Sequence, residues 1–313
     1  MFGKRERTTL AAIAVIIVVI ALFMISGTLS ANKATRIFRI AVVIDETNDE
    51  YWKIFRKGLE QAALDCNVDM HFLSLPQGGE ALAQQMELIT RETKSGADAV
   101  ILSAVNQEKM AVWLKENPLP CPIVAVGTRI ENVRKSLFVG ADGEQVGAEL
   151  AKSVVAESGY SSVIVFLENE NASAKARYNG LTKALDKDSV RYSTVTGIVD
   201  MRSFLTKTNQ SGKTAVICVD EETLEKICAM ADTRPNCDIY GTGYTNKILY
   251  YLEMGKIKKI ALQSEYDAGY MSIVSAVNAA KSGQYKDFML KTYIADASNM
   301  FDASHESVLV PIS

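Results

Sequence analysis

Ile40-Ala41-Val42-Val43-Ile44-Asp45-Glu46-Thr47-Asn48-Asp49-Glu50-Tyr51-Trp52 decides the architecture. An unbroken apolar run, mostly β-branched, gives way to acids and amides. Phe55, Leu59, Ala62, Ala63 and Cys66 then recur at helical spacing. A strand apolar at every position fits a parallel sheet covered by helices on both faces. Strand, polar turn and helix in that order form the repeating unit of such a sheet.

The unit recurs downstream. Val68–Leu75, Ala97–Ser103, Ile123–Val126 and Leu137–Gly140 read as strands, with helices around Leu82, Met86 and Ile89 and over Lys109–Glu116. After a break at Gly140–Gly143, Val146, Leu150 and Val154 mark a long helix. Strands Ser162–Leu167, Tyr192–Val199, Thr214–Val219, Asp238–Thr242 and Ile260–Gln263 follow. They alternate with helices Ala174–Leu185, Ser203–Asn209, Glu221–Ala231, Asn246–Met254 and Asp267–Ser282. Phe288–Ile294 and Ser307–Ile312 finish the chain as β stretches. The pattern predicts an α/β fold of two similar Rossmann-like lobes with parallel sheets.

Upstream, Lys4, Arg5 and Arg7 precede the apolar run Leu10–Ile25, and the 24 residues Thr8–Ala31 carry no charge. As a helix they would reach about 36 Å, against about 30 Å of bilayer hydrocarbon. Residues 1–31 are read as a membrane anchor or a signal segment. The length favours an uncleaved anchor, since a signal peptide has an apolar centre of about 7–15 residues. Basic residues before the stretch put the body outside the cytoplasm under either reading.

The chain has 313 residues, 48% hydrophobic and 23% charged, with a formal charge of −3. The tip contributes +2, so the rest carries −5 and offers no electrostatic basis for nucleic-acid binding. Five scattered cysteines make no disulfide framework; Cys228 and Cys237 are close enough in sequence to pair, but buried thiols are the expectation. His71 and His305 have no metal spacing around them, and His71, within an apolar strand, reads as structural. No G-x-S-x-G, H-E-x-x-H or P-loop occurs, and no cofactor is indicated. An acid–base pair such as Asp45 and Asp49 fits binding better than catalysis in this position, so no enzyme is expected.

Ligands of open parallel sheets bind beyond the carboxyl ends of the strands. Those ends here carry Asp45, Asn48, Asp49, Tyr51 and Trp52, then Gly127-Thr128-Arg129, then Glu168, Asn169, Asn171 and Arg177, then Asp220, Gly243-Tyr244 and Gln263. Carboxylates accept and guanidinium groups donate, which suits polyhydroxyl ligands, and flat rings can cover the apolar face of a sugar.

Ile40–Leu64, Val139-Gly140-Ala141-Asp142 leading to Gly147, and Ser173-Ala174-Lys175-Ala176-Arg177-Tyr178-Asn179-Gly180 together resemble the type I periplasmic binding proteins of the ribose-binding class. That class shares its fold with the effector cores of lactose-repressor-type regulators. The resemblance covers nearly all of residues 37–300. It implies two lobes, 36–141 plus 264–292 and 142–263 plus 293–313, joined by a three-stranded hinge and closing over a sugar.

By the resemblance, Asp45, Asp49, Tyr51 and Trp52 match pocket positions of the first lobe. Arg177, Asp220 and Gln263 match positions of the second lobe or hinge. The family's Asp-Arg pair after the fourth strand is here Gly127-Thr128-Arg129, leaving a displaced Arg129, and its second-lobe aspartate falls at Gly243. Those departures leave open a modified, phosphorylated or acidic sugar, or another small polar ligand. The resemblance implies a solute-binding protein for an ABC-type importer, working with its permease. The alternative is an anchored sensor signalling to a histidine kinase or receptor. A DNA-binding repressor is disfavoured because the apolar segment occupies the place of the DNA-reading head.

Overall fold

The structure, a computed structural model, describes residues 36–45, 49–75, 80–168, 172–197, 212–230, 237–243 and 245–300. The anchor reading of residues 1–31, the helix expected over 203–209 and the β stretch over 307–312 lie outside the described residues. Among the described residues no helix is long and apolar enough to cross a membrane.

Two six-stranded sheets carry the body. The first is built from β1 (Phe38–Asp45), β2 (Val68–Leu75), β3 (Ala99–Leu102), β4 (Ile123–Val126), β5 (Ser136–Gly140) and a late strand, with helices α1 (Asp49–Cys66), α2 (Ala81–Lys94) and α3 (Gln107–Glu116) between them. The second follows α4 (Gly143–Glu157). It holds β6 (Ser162–Phe166), β7 (Ser193–Val195), β8 (Thr214–Cys218), β9 (Cys237–Thr242) and β10 (Ile257–Leu262), with α5 (Ala172–Lys187), α6 (Glu221–Met230) and α7 (Asn246–Glu253) in the connections. Helix α8 (Glu265–Ser282) returns to the first sheet, and β11 (Phe288–Met289) and β12 (Tyr293–Ala295) end the described chain.

Strand order is β11-β5-β4-β3-β1-β2 in the first sheet and β12-β10-β9-β8-β6-β7 in the second. Every pairing is parallel except β10 with β12, where Ile260 faces Ala295 in antiparallel register. The sequence reading of Phe288–Ile294 as one β stretch needs correction. Met289 pairs with Gly140 in one sheet and Tyr293 with Leu262 in the other, so the stretch is two strands separated by a crossing. The chain passes between the sheets three times: after Gly140, after Leu262, and between Met289 and Tyr293.

The apolar run of β1 is explained by its two covers. Ile40, Val42 and Ile44 pack with Phe55 and Leu59 of α1, and Val43 packs with Ile89 of α2 and Met110 of α3. The second sheet repeats the arrangement, Val163 and Val165 facing α4 and α5 while Ile164 and Phe166 face α6 and α7. Each such side chain contributes about 1.5–3 kcal/mol on burial.

Close helix contacts hold each lobe. A Cβ on Gly58 of α1 would stand 2.1 Å from the Tyr266 carbonyl oxygen of α8, and one on Gly147 of α4 would stand 1.9 Å from the Arg177 carbonyl oxygen of α5. Only glycine lets these backbones touch. His71 is less enclosed than its apolar neighbours imply: β2 is an edge strand, and the ring meets the buried Glu92 carboxylate at 3.0 Å. Cys121, Cys218 and Cys228 are buried free thiols, and burial pushes Cys121 up to about 11 and Cys228 up to about 12.

Candidate binding cleft

A cleft of about 350 Å³ opens at the carboxyl ends of both sheets, beside the first two crossings. Trp52, Ser103 and Thr128 line it from the first lobe. Ser173, Arg177, Glu221, Thr242 and Gly243 line it from the second, and Ala141, Gln263 and Glu265 from the crossings.

Arg177 lies on α5, whose position is fixed by the Gly147 contact. Its Nε donates to the Val219 carbonyl at 2.6 Å and its Nη1 to Ser173 Oγ at 2.9 Å. Burial pulls the guanidinium below its ordinary value, while the carboxylates of Asp220 and Glu221 act in the opposite direction. Arginine stays protonated regardless. Two nitrogens hold the side chain still and the third, Nη2, has no partner among the described residues.

Trp52 is only 7% exposed and meets Phe55 edge to face at 5.2 Å between centroids. It therefore serves the core and the cleft wall together. Asp45 closes β1 and Asp49 and Tyr51 open α1, which puts their backbones at the same strand end; their side chains lie outside what the structure describes.

Gln263 joins two crossings. Its Oε1 accepts the Ala141 amide at 2.9 Å and its Nε2 donates to Glu265 Oε1 at 3.2 Å. Ser264 caps α8 by accepting from the Asp267 amide, which sets Glu265 at the helix start, only 5% exposed.

Two expected residues stand outside this lining. Asp220 is buried at the start of α6, where Oδ1 accepts the Thr223 amide at 2.9 Å and Oδ2 the Thr223 hydroxyl at 2.7 Å. It caps the helix and faces Arg177 electrostatically, and the neighbouring Glu221 lines the cleft instead. Arg129 pairs with the Asp287 carboxylate and lies over the Phe138 ring at 4.8 Å, while Asp287 Oδ1 accepts the Phe138 amide. It lines an adjoining depression of about 300 Å³ that shares Thr128, Gly143 and Ser173 with the cleft.

Glu221 and Glu265 are the residues that sequence reasoning missed. Both sit one or two positions beyond a residue that was singled out, at a strand end, so position was the available signal. Gly243 has φ +147°, and a Cβ there would meet Ile248 Cδ1 at 2.5 Å and Glu221 Cγ at 2.9 Å. A side chain is excluded from position 243 by backbone conformation and by Glu221 itself.

Two α/β lobes with mostly parallel sheets and a polar cleft between them define a type I periplasmic binding-protein fold. The chain belongs to the periplasmic binding protein domain family, whose model matches residues 40–284.

Solved structures share the architecture at low identity. The glucose-galactose binding protein GanP from Geobacillus stearothermophilus aligns with TM-score 0.74 at 15% identity, covering 85% of this chain and 99% of that one. An ABC transporter solute binding protein from Burkholderia graminis, in complex with D-arabinose, aligns with TM-score 0.71 at 18% identity, covering 85% and 97%. A periplasmic ribose ABC transporter from Conexibacter woesei aligns with TM-score 0.75 at 12% identity, covering 87% and 97%. Among curated proteins none matches the chain.

Proposed function

We propose that this protein captures a small polar ligand, a sugar or sugar derivative, between its two lobes outside the cytoplasm and delivers it to an ABC-type importer. The observation that carries the reading is the convergence of Trp52, Arg177, Glu221 and Gln263 on one cleft beside two chain crossings. Its volume falls within the range of about 300–1,000 Å³ usual for small-molecule sites. Trp52 offers a ring face, Arg177 a fixed donor, and the carboxylates acceptors for hydroxyl groups. Closure then follows from ligand contacts that exist only when both lobes touch it. The sugar-binding proteins of like fold support the ligand class.

A membrane-held sensor is the second reading, favoured by the length of the uncharged stretch Thr8–Ala31. A thermal-shift panel of pentoses, hexoses and their derivatives tests ligand capture, because binding to the folded form raises the melting temperature. No response across the panel overturns it. Ligand-dependent stimulation of a permease's ATPase supports import, and stimulation of a kinase instead supports sensing.

A further inference from the structure

We infer that the cleft and the depression beside it form one two-part site, built for two linked sugar rings rather than one. The inference rests on the sugar-binding reading above and deepens it by naming the length of the ligand.

The two spaces are alike in size, about 350 and about 300 Å³. At about 30 Å³ for each water-sized group, the first holds roughly twelve groups, about the number of non-hydrogen atoms in one hexose. A second ring has the depression to enter. Gly127, Thr128, Ala141, Gly143 and Ser173 border both spaces, so the two are continuous. Gly127 keeps that border open. Its φ is +74°, and a Cβ there would meet nothing within 4 Å, so the chain turns beside free space.

The depression repeats the chemistry of the cleft. Phe138 and the exposed Met289 give it an apolar wall, and Gln107, Thr128 and Asp142 give it a polar one. Asp142 Oδ1 caps α4 by accepting the Glu144 and Gln145 amides at 2.9 and 3.3 Å, while its Oδ2 has no partner among the described residues. The side chains of Gln107 and Thr128 have none there either. An apolar wall beside unused donors and acceptors suits a ring with a C–H face and a hydroxyl rim. Arg129, held by Asp287 and lying over Phe138, becomes a fixed edge of this second subsite.

A glycosidic bond delivers the second ring to its subsite once the first is bound. Little further translational freedom is lost, so its contacts add to affinity. Thr128 of the first lobe and Ser173 of the second stand at the border, so a ligand lying across it meets both lobes and favours closure.

Calorimetry on the full-length protein in detergent tests this with glucose, galactose and xylose against cellobiose, lactose, melibiose and xylobiose. At least one disaccharide should bind at least about tenfold more tightly than either of its component sugars. Gln107→Trp and Met289→Trp each put bulk into the depression, and either one, shown folded by an unchanged melting temperature, should bring that preference down severalfold. A component sugar that binds as tightly as every disaccharide containing it overturns the inference and leaves the sugar-binding reading standing. A disaccharide preference that both variants leave unmoved also overturns it. If no sugar of either length binds, the sugar-binding reading falls with it.

Discussion

Gln263 Oε1 accepts the backbone amide of Ala141 at 2.9 Å, a bond between two segments 122 residues apart that both cross from one sheet to the other. The same amide group reaches Glu265 at the start of α8. The side chain is thus placed to read the relative position of two crossings while lining the cleft. Its oxygen holds a backbone amide and its nitrogen a side-chain carboxylate, so both ends of the group are positioned.

Gln263→Leu should therefore act on closure as well as on affinity. The Ala141 amide loses its acceptor and Glu265 loses a donor. Ligand affinity should fall at least about tenfold, or about 1.4 kcal/mol. Calorimetry before and after the substitution checks this, and unchanged affinity would remove Gln263 from the site.

Arg177→Lys keeps the charge and loses the planar fork that reaches Val219 and Ser173 together. Affinity should drop by more than tenfold, whereas stability should change by about 1 kcal/mol or less because no apolar core contact is removed. Denaturant melts alongside calorimetry separate the two effects. A large stability loss with retained affinity would make Arg177 a structural residue.

Gly147→Ala should damage both properties. The added Cβ meets the Arg177 carbonyl oxygen at 1.9 Å, so α4 and α5 must separate. Overpacking of this kind costs about 1–3 kcal/mol. Because Arg177 rides on α5, ligand affinity should fall with stability; if stability alone falls, helix position and binding are independent.

Far from the cleft, Asp238 accepts from Tyr160 and receives ion pairs from Lys213 and Lys258 at 2.9 and 3.0 Å. Burial pushes its carboxyl up, but the hydrogen bonds from Tyr160, Lys213 and Lys258 outweigh it and hold the value below the ordinary one. A carboxyl depressed in the folded state adds stability above its unfolded value, about 3.9, and that stability is lost as pH falls through the lower folded value. Acid should therefore destabilise the protein below about pH 4, and Asp238→Asn should flatten that part of the curve. Equal pH slopes for the two proteins would contradict this.

Much of the fold was legible because buried parallel strands cannot hide their pattern. Ile123–Val126, buried throughout, has the bounds that its apolar run implies, and the half-exposed edge strand Val68–Leu75 also keeps the bounds expected of it. Phe288–Ile294 misled because a short crossing leaves no polar gap, only Lys291 and Thr292 near its centre. In the site, Trp52, Arg177 and Gln263 could be read from strand ends. The choice between Asp220 and Glu221 could not, since it depends on which of two adjacent acids caps α6. Arg129 finds its partner in Asp287, 158 residues away, and no local pattern announces that pair.

Tryptophan emission tests the central claim most directly, because the chain has only two tryptophans and Trp52 lines the cleft. In a Trp113→Phe variant, a ligand found by thermal shift should alter Trp52 emission and reduce its access to quencher. Both changes should saturate at the calorimetric affinity. Calorimetric binding that leaves Trp52 emission and quenching untouched would place the ligand elsewhere and contradict the account.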